Sequence, residues 1–326
     1  MTQTGGTDSP APHEGVALRL ATPSDAAGML HIIRASFGAR PPVDPPPAAL
    51  SDTVEQVVGR LAEGAGIIAG VDGVDAACLL ISFQPQQPGS PRTMSVHRVS
   101  VLPEFQHRGL ASAIVRAAVE LGADAGWQRL TLLCRREFPQ LRGWWMDHGF
   151  AVDREVDLGY VMGLRLPTAV KVPTAEDMRR LGERLAGLLR AGDLVVVNGE
   201  LGAGKTTLAQ GVGRGLGVQG PVISPTFVLA RIHPSAGPGP ALVHVDAYRL
   251  GSAAELEDID LDASMAESVT LVEWGVGLVE GLSPDRLDID IRRSGDPDDQ
   301  TRTVYLAGLG PRWADVDLAV LQGSAA

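Results

Sequence analysis

Lysine occurs only twice in this 326-residue chain, at Lys171 and Lys205, and the second stands inside "VVVNGELGAGKTTLAQGV". A chain that otherwise carries its positive charge on arginine has placed a compact ammonium directly after a run of glycines. Gly199, Gly204, Lys205 and Thr206 satisfy G-x-x-x-x-G-K-[ST], with an unbroken apolar stretch before them and a helix-forming stretch after. That spacing suits phosphate. Glycines let successive N–H groups curl around oxygens, a helix N-terminus adds positive potential, and the lysine meets the β and γ phosphates as a point charge. Glu200, Leu201, Gly202, Ala203 and Thr207 complete the expected contact loop, and the Thr206 hydroxyl is the expected Mg²⁺ ligand within it.

A phosphate loop also needs acidic groups at the C-terminal ends of neighbouring parallel strands, to hold the magnesium shell and position water. "ALVHVD" ends its apolar run at Asp246 and "VTLVE" ends at Glu273. Either alone is an ordinary strand-end carboxylate. Together, downstream of the loop, they read as catalytic partners of Lys205 and as metal ligands with Thr206. The guanine-reading motif N-K-x-D cannot be assembled, because Asn198 is the sole asparagine and Gly199 follows it. ATP is therefore the expected nucleotide.

The first half holds a second arrangement of this kind. In "VSVLPEFQHRGLASAIVRAAVELG", Gln106, Gly109 and Ala111 fit [QR]-x-x-G-x-[GA] between a strand and a long helix. Small residues at a helix start expose backbone N–H groups to a diphosphate, so the physics repeats that of the lysine loop. His97, on the strand before this turn, is either a base or proton relay or a structural strand histidine. Cys78 and Cys134 lie in apolar runs with no Cys or His at metal spacing, which points to buried thiols and away from zinc or a disulfide framework.

The elements that must position these residues follow from periodicity and punctuation. Thr22 as N-cap, Pro23 at the first helical position and Asp25 at the third open a helix through "SDAAGMLHIIRASF", which "ARPPVDPPPAAL" breaks. Apolar runs at 66–71 and 76–83 around "DGVD" predict a strand hairpin, and "TMSVHRVSVL" the next strand. In the second half, Met178, Leu181, Leu185, Leu188 and Leu189 recur at helical spacing behind a Thr174 cap, with Gly192 as the stop. "LVVVN" reads as a strand buried in a parallel sheet, and "RWADVDLAVLQGSAA" as a last helix. Pro167 and Pro173 bracket the joint. The division is a disordered tail at 1–15, a first domain at 16–166, a linker at 167–173 and a second domain at 174–326.

Composition narrows the function classes. A net charge of −11 argues against autonomous nucleic-acid binding, which relies on a basic face, although it allows a role on RNA through partners. No apolar run reaches the length of a membrane span, and the N-terminus lacks the basic and apolar regions of a signal peptide, so a cytoplasmic protein is expected.

From about Val172 to Leu309 the chain resembles the TsaE ATPase family of tRNA threonylcarbamoyladenosine synthesis. The resemblance rests on "LGERLAGLL", "GELGAGKTT", "SPTFVL", "HVDAYRL" with "ELED", and "LVEW", in that order. It implies phosphate and magnesium binding at Lys205 and Thr206, a nucleotide-sensing switch at "SPTF" including Thr226, a Walker B-like acid at Asp246 and a magnesium-shell role for Glu273. Trp274, otherwise read as a core aromatic, joins the ATP site on this basis, and Met178 stands where the family often has threonine. The resemblance also implies TsaB-like and TsaD-like partners, which perform the transfer itself, and only indirect contact with tRNA. The competing reading is a small-molecule kinase fused to a catalytically inactive CoA-binding module, but no Arg-rich lid segment appears in the second half.

From about Val16 to Leu166 the chain resembles GNAT acetyltransferases, through the Gln106–Ala111 turn, the helix opening at "SDAAGMLHIIRASF" and "WWMDHGF". That resemblance implies acetyl-CoA bound by Val99, Val101, Gln106, Arg108, Gly109, Leu110 and Ala111. Trp145 stands where many members carry the tyrosine that reprotonates the CoA thiolate, and an indole cannot do so. The expected architecture is α/β: a GNAT-like mixed α+β sheet domain, then a P-loop NTPase-like α/β domain with a mostly parallel sheet.

Overall fold

The protein is described by a computed structural model. It describes residues 15–225, 229–249, 265–279, 282–283, 285–294, 296 and 298–323. The chain divides into two compact units, Met1–Leu166 and Pro167–Ala326.

The first unit runs β1 (Val16–Leu20), α1 (Ala26–Gly38), α2 (Val54–Glu63), β2 (Ala65–Val71), β3 (Val74–Phe83), β4 (Thr93–Val101), α3 (Leu110–Asp124), β5 (Arg129–Arg135), α4 (Pro139–Asp147), β6 (Ala151–Val156) and β7 (Gly159–Arg165). The expected Thr22 capping box is present, closing a 3₁₀ turn at Pro23–Asp25 that leads into α1. The expected hairpin is β2–β3. Helix α2, which the sequence reading did not assign, carries its own capping box between Thr53 and Gln56. The sheet order is β1-β2-β3-β4-β5-β7-β6. One face packs α1 and α2 through Met29, Ile33, Val57, Leu61, Ile68 and Leu80. The other packs α3 and α4 through Leu79, Val96, Ile114, Val115, Leu132 and Trp145. Both cysteines are free and buried, and burial pushes the Cys78 thiol up to about 12.

A local irregularity interrupts the middle of this sheet. Strands β4 and β5 are parallel neighbours, yet they pair only from Thr93 to Ser95 against Arg129 to Thr131. Beyond those residues the two strands splay. On its other side β4 carries a bulge against β3, where Arg98 adopts a left-handed backbone with φ of 55°. Buried Asp52 fixes that bulge by accepting hydrogen bonds from Arg98 and Arg60. Burial alone would raise the Asp52 pKa, but these guanidinium hydrogen bonds and charges hold it at about 2.

The second unit runs β8 (Thr168–Val172), α5 (Ala175–Ala186), β9 (Leu194–Gly199), α6 (Lys205–Leu216), β10 (Ala230–His233), β11 (Ala241–Asp246), β12 (Ser268–Glu273), β13 (Arg286–Arg293), β14 (Arg302–Leu309) and α7 (Pro311–Ala314). Its order is β10-β11-β12-β9-β13-β14-β8. The expected parallel arrangement occupies the centre, β11-β12-β9-β13, and the remaining pairings, β10–β11, β13–β14 and β14–β8, are antiparallel. The segment 167–173, read from sequence as a linker, contains β8, which pairs with β14 over Thr168 to Val172. Thr174 caps α5 by accepting from the Asp177 N–H, as expected, but the helix ends at Ala186, ahead of Gly192. The predicted last helix is instead the short α7 followed by a 3₁₀ turn at Leu318–Leu321, anchored by buried Trp313.

Helices α5 and α6 approach closely because glycine lines their contact. A Cβ on Gly211 would lie 2.1 Å from the Arg179 carbonyl oxygen, and one on Gly182 would lie 2.5 Å from that of Leu208. The same helices cover Val195, Val197, Leu242 and Leu271. By strand alternation His244, Asp246 and Glu273 face this side too.

Candidate functional site

The phosphate loop joins the end of β9 to the start of α6, at the middle of the sheet. Gly204 is the N-cap of α6 with φ of 116°, a conformation open to glycine and strained for other residues. Met178 packs beneath it, its Cε 3.3 Å from where a Gly204 Cβ would sit. Lys205 is 5 % exposed. Its Nζ donates to the Gly199 and Glu200 carbonyls at 2.7 and 3.0 Å, and lies 3.7 Å from the Trp274 ring centroid. Burial lowers the lysine pKa, opposed by the charges of Glu273 and Asp246. Leu201, at the loop tip, is 85 % exposed. Its carbonyl accepts from Arg293, a contact the sequence reading did not foresee.

Asp246 and Glu273 are register partners on β11 and β12, and both are buried. Asp246 accepts from Ser224 Oγ at 3.3 Å and from the Tyr248 N–H at 3.2 Å. Glu273 Oε1 accepts from Thr206 Oγ1 at 2.9 Å and from His244 Nε2 at 2.9 Å. Carboxylates only accept, so His244 carries its proton on Nε2. Its Nδ1 is buried without a hydrogen-bond partner among the described residues. Sequence reasoning passed over His244 as one more residue of an apolar strand, although its two-residue offset from Asp246 was the available signal. Trp274 follows Glu273 with a left-handed φ of 63° and donates its N–H to the Val197 carbonyl. This turn sets its indole against Lys205 and Tyr248.

Lys205, Thr206, Asp246, Glu273 and Trp274 are therefore brought together with the loop 199–204. Thr207 stands in the first turn of α6. Thr226 lies outside the described residues, as does the "ELED" segment. Among the described residues no cluster of three His, Cys, Asp or Glu side chains forms a metal cage. A hydroxyl and two carboxylates suit Mg²⁺ nonetheless, since that ion is held by one or two carboxylates and completes its shell with water and phosphate oxygens.

In the first unit, Gln106, His107 and Arg108 form an exposed turn before Gly109, the N-cap of α3 with φ of 73°. Leu110 and Ala111 open the helix, while Val99 and Val101 lie on β4 past its last pairing with β5. Ser112 ties this turn to α4 through His148 Nε2 at 2.8 Å. Trp145 is buried against Phe150 and Trp144. His97 Nε2 is 2.7 Å from Ser82 Oγ, and partial desolvation with the Arg98 and Arg60 charges lowers its pKa.

Comparison with known proteins divides the chain in the same two parts. The family model "Threonylcarbamoyl adenosine biosynthesis protein TsaE" matches residues 172–304, and "Acetyltransferase (GNAT) family" matches 29–150. The tRNA threonylcarbamoyladenosine biosynthesis protein TsaE of Streptomyces coelicolor is 63 % identical over 148 residues, which are 45 % of this chain and 100 % of that protein. The protein of the same name from Bacillus subtilis is 36 % identical over 139 residues, 42 % of this chain and 84 % of its own length. Among solved structures, YdiB of Bacillus subtilis is 30 % identical with a TM-score of 0.37, covering 45 % of this chain and 88 % of that one. The PaiA N-acetyltransferase of Thermoplasma acidophilum, solved with coenzyme A, is 12 % identical with a TM-score of 0.41, covering 47 % and 99 %. Through its second half the chain belongs to the TsaE family, and its first half carries the domain described by the GNAT acetyltransferase model.

Proposed function

We propose that the second unit binds and hydrolyses ATP as the ATPase component of tRNA threonylcarbamoyladenosine biosynthesis, and that the first unit transfers acetyl from acetyl-CoA to an amine. The observation that carries the first reading is the convergence of Lys205, Thr206, Asp246 and Glu273 where β9, β11 and β12 meet α6. The name shared by the relatives supplies the process.

In this reading the loop 199–204 and Thr207 offer backbone N–H groups to the phosphates, and Lys205 meets the β and γ groups. Thr206, Asp246 and Glu273 would hold Mg²⁺, which supplies charge neutralisation on the transferred phosphate. Thr206 and His244 fix Glu273 through Oε1, so the carboxylate is oriented by its neighbours before any ligand arrives. Trp274 keeps Lys205 in place through its ring face, and Thr226 belongs to the switch that answers hydrolysis. Partners resembling TsaB and TsaD perform the threonylcarbamoyl transfer in the cytoplasm, and they bring the tRNA to a chain too acidic to grip it alone.

For the first unit, Gln106, Arg108, Gly109, Leu110 and Ala111 hold the pyrophosphate, with Val99 and Val101 along the splayed strand. The acceptor nitrogen forms its bond to the thioester carbonyl carbon as the C–S bond breaks. The nitrogen loses a proton, and the departing thiolate takes one to leave as CoA–SH. Trp145 supplies no proton, since its indole is packed in the core, so solvent or His97 does.

The test compares ATP with GTP binding to the full chain by calorimetry, then hydrolysis and tRNA modification in two variants. Lys205→Ala loses nucleotide affinity and hydrolysis together, whereas Glu273→Gln retains much of the affinity and hydrolyses about a hundredfold more slowly. Tighter GTP than ATP binding, or full tRNA modification in a strain carrying only Lys205→Ala, overturns the reading.

A further inference from the structure

Past the last β4–β5 pair, a guanidinium stands against the unpaired stretch of β4. Arg40 follows the end of α1. Its Nη2 reaches the Val99 carbonyl of β4 at 3.5 Å, longer than a strong N–H···O bond. The guanidinium carbon sits 4.0 Å above the Phe37 ring. On the β5 side it lies within electrostatic reach of the buried Cys134 thiol, and so does Arg142 of α4. Arg142 in turn stacks its guanidinium 5.0 Å from the Tyr160 ring, and Tyr160 is the register partner of Cys134.

Neither cation has a carboxylate partner among the described residues, in contrast to Arg19, Arg60, Arg98, Arg129, Arg135 and Arg136, which are all ion-paired in this unit. A guanidinium withdrawn from water is costly to leave unpaired. Burial lowers the Arg40 pKa, as expected for a cation lacking its counterion. The residue is nonetheless only partly buried, so part of its side chain meets solvent. Arg40 is thus partly desolvated, short of acceptors and reachable at the point where a chain lying along Val99 would end.

We propose that Arg40, seconded by Arg142, binds a carboxylate at the β4–β5 gap, carried by one of the two molecules that react there. Arginine meets a carboxylate with two parallel N–H donors, which a neutral isostere cannot answer. The inference rests on the acyl-CoA reading of this unit, and it adds that the reaction is selective for an anionic acyl group or an anionic amine.

The probes are S-carboxymethyl-CoA and its neutral isostere S-carbamoylmethyl-CoA, titrated into the full chain by calorimetry beside CoA itself. The carboxylate probe should bind more tightly than the amide by about tenfold or more, as expected for a charge-assisted hydrogen-bonded pair. Arg40→Gln should bring the two affinities together while leaving CoA affinity unchanged, which also shows the variant is folded. Arg142→Gln should narrow the preference less. Equal affinities for the two probes in the unaltered chain overturn the proposal while CoA binding stands. Absence of binding by CoA and both probes overturns the acyl-CoA reading beneath it. Titrating succinyl-CoA against acetyl-CoA then separates the sources. An Arg40-dependent preference for succinyl-CoA places the carboxylate on the acyl group, and equal affinities place it on the acceptor.

Discussion

Replacing Gly211 by alanine tests whether glycine is what lets α5 and α6 pack as closely as they do. Alanine is the better helix former by up to about 1 kcal/mol, so an isolated α6 would gain from the change. In the folded unit, however, the new methyl would stand 2.1 Å from the Arg179 carbonyl oxygen, and that atom belongs to the backbone of the opposing helix. No rotamer can relieve the overlap. The helices must separate by more than about 1 Å to restore ordinary contact, and a gap of about that size forfeits a quarter to a half of each dispersion well along the seam. Overpacking of this kind costs about 1–3 kcal/mol, and a clash with backbone falls at the upper end of that range, so after the propensity gain a net destabilisation of up to about 2 kcal/mol is left. Native-state hydrogen exchange at Leu181, Leu185 and Leu208 reads this unit directly within the full chain. Gly59→Ala in α2 is the control, because a Cβ there meets nothing within 4 Å, and it should stabilise by about 0.5–1 kcal/mol. A Gly211→Ala chain as well protected as the original would refute the argument.

Two further outcomes follow from the first unit. Gly109→Glu places a bulky anion at a φ of 73° where a diphosphate is expected, so CoA affinity should fall below detection by calorimetry while the far-ultraviolet spectrum is kept. Unchanged affinity would remove the cradle assignment. Asp52 has a folded pKa of about 2 against an ordinary 3.8. Its contribution is therefore complete above about pH 4 and lost as pH falls through about 2. Acid unfolding of Asp52→Asn should be flatter across that window, and an identical profile would show that the Arg60 and Arg98 pairs contribute nothing.

What could be read in advance was whatever depends on neighbours in sequence. The phosphate loop, the Thr174 cap and the β2–β3 hairpin are local, and so were legible. Strand β8 was not, because its five residues owe their order to hydrogen bonds with β14, more than a hundred positions along the chain. Its flanking prolines read locally as a joint. Helix α2 carries its own Thr53 signal, yet the proline-rich stretch before it dominates the local reading. His244 shows a subtler limit. In an apolar strand a single histidine looks like a tolerated core residue, and only the adjacency of β11 to β12 sets it against Glu273. Arg40 escaped for the same reason, since the splay that gives it meaning is a property of the strand pairing.

The contact between Lys205 and Trp274 carries an optical consequence. An ammonium 3.7 Å from the centre of an indole perturbs the excited state of that ring through its electric field, while Tyr248, with its ring centre 5.4 Å away, is placed to pass excitation to it. Any event that redirects the lysine charge toward a phosphate changes the field at the chromophore, so the colour and yield of Trp274 emission should follow the chemical state of the nucleotide. Of the five tryptophans in the chain, this is the one set against Lys205, so its light would report a nucleotide at the loop without any label being attached.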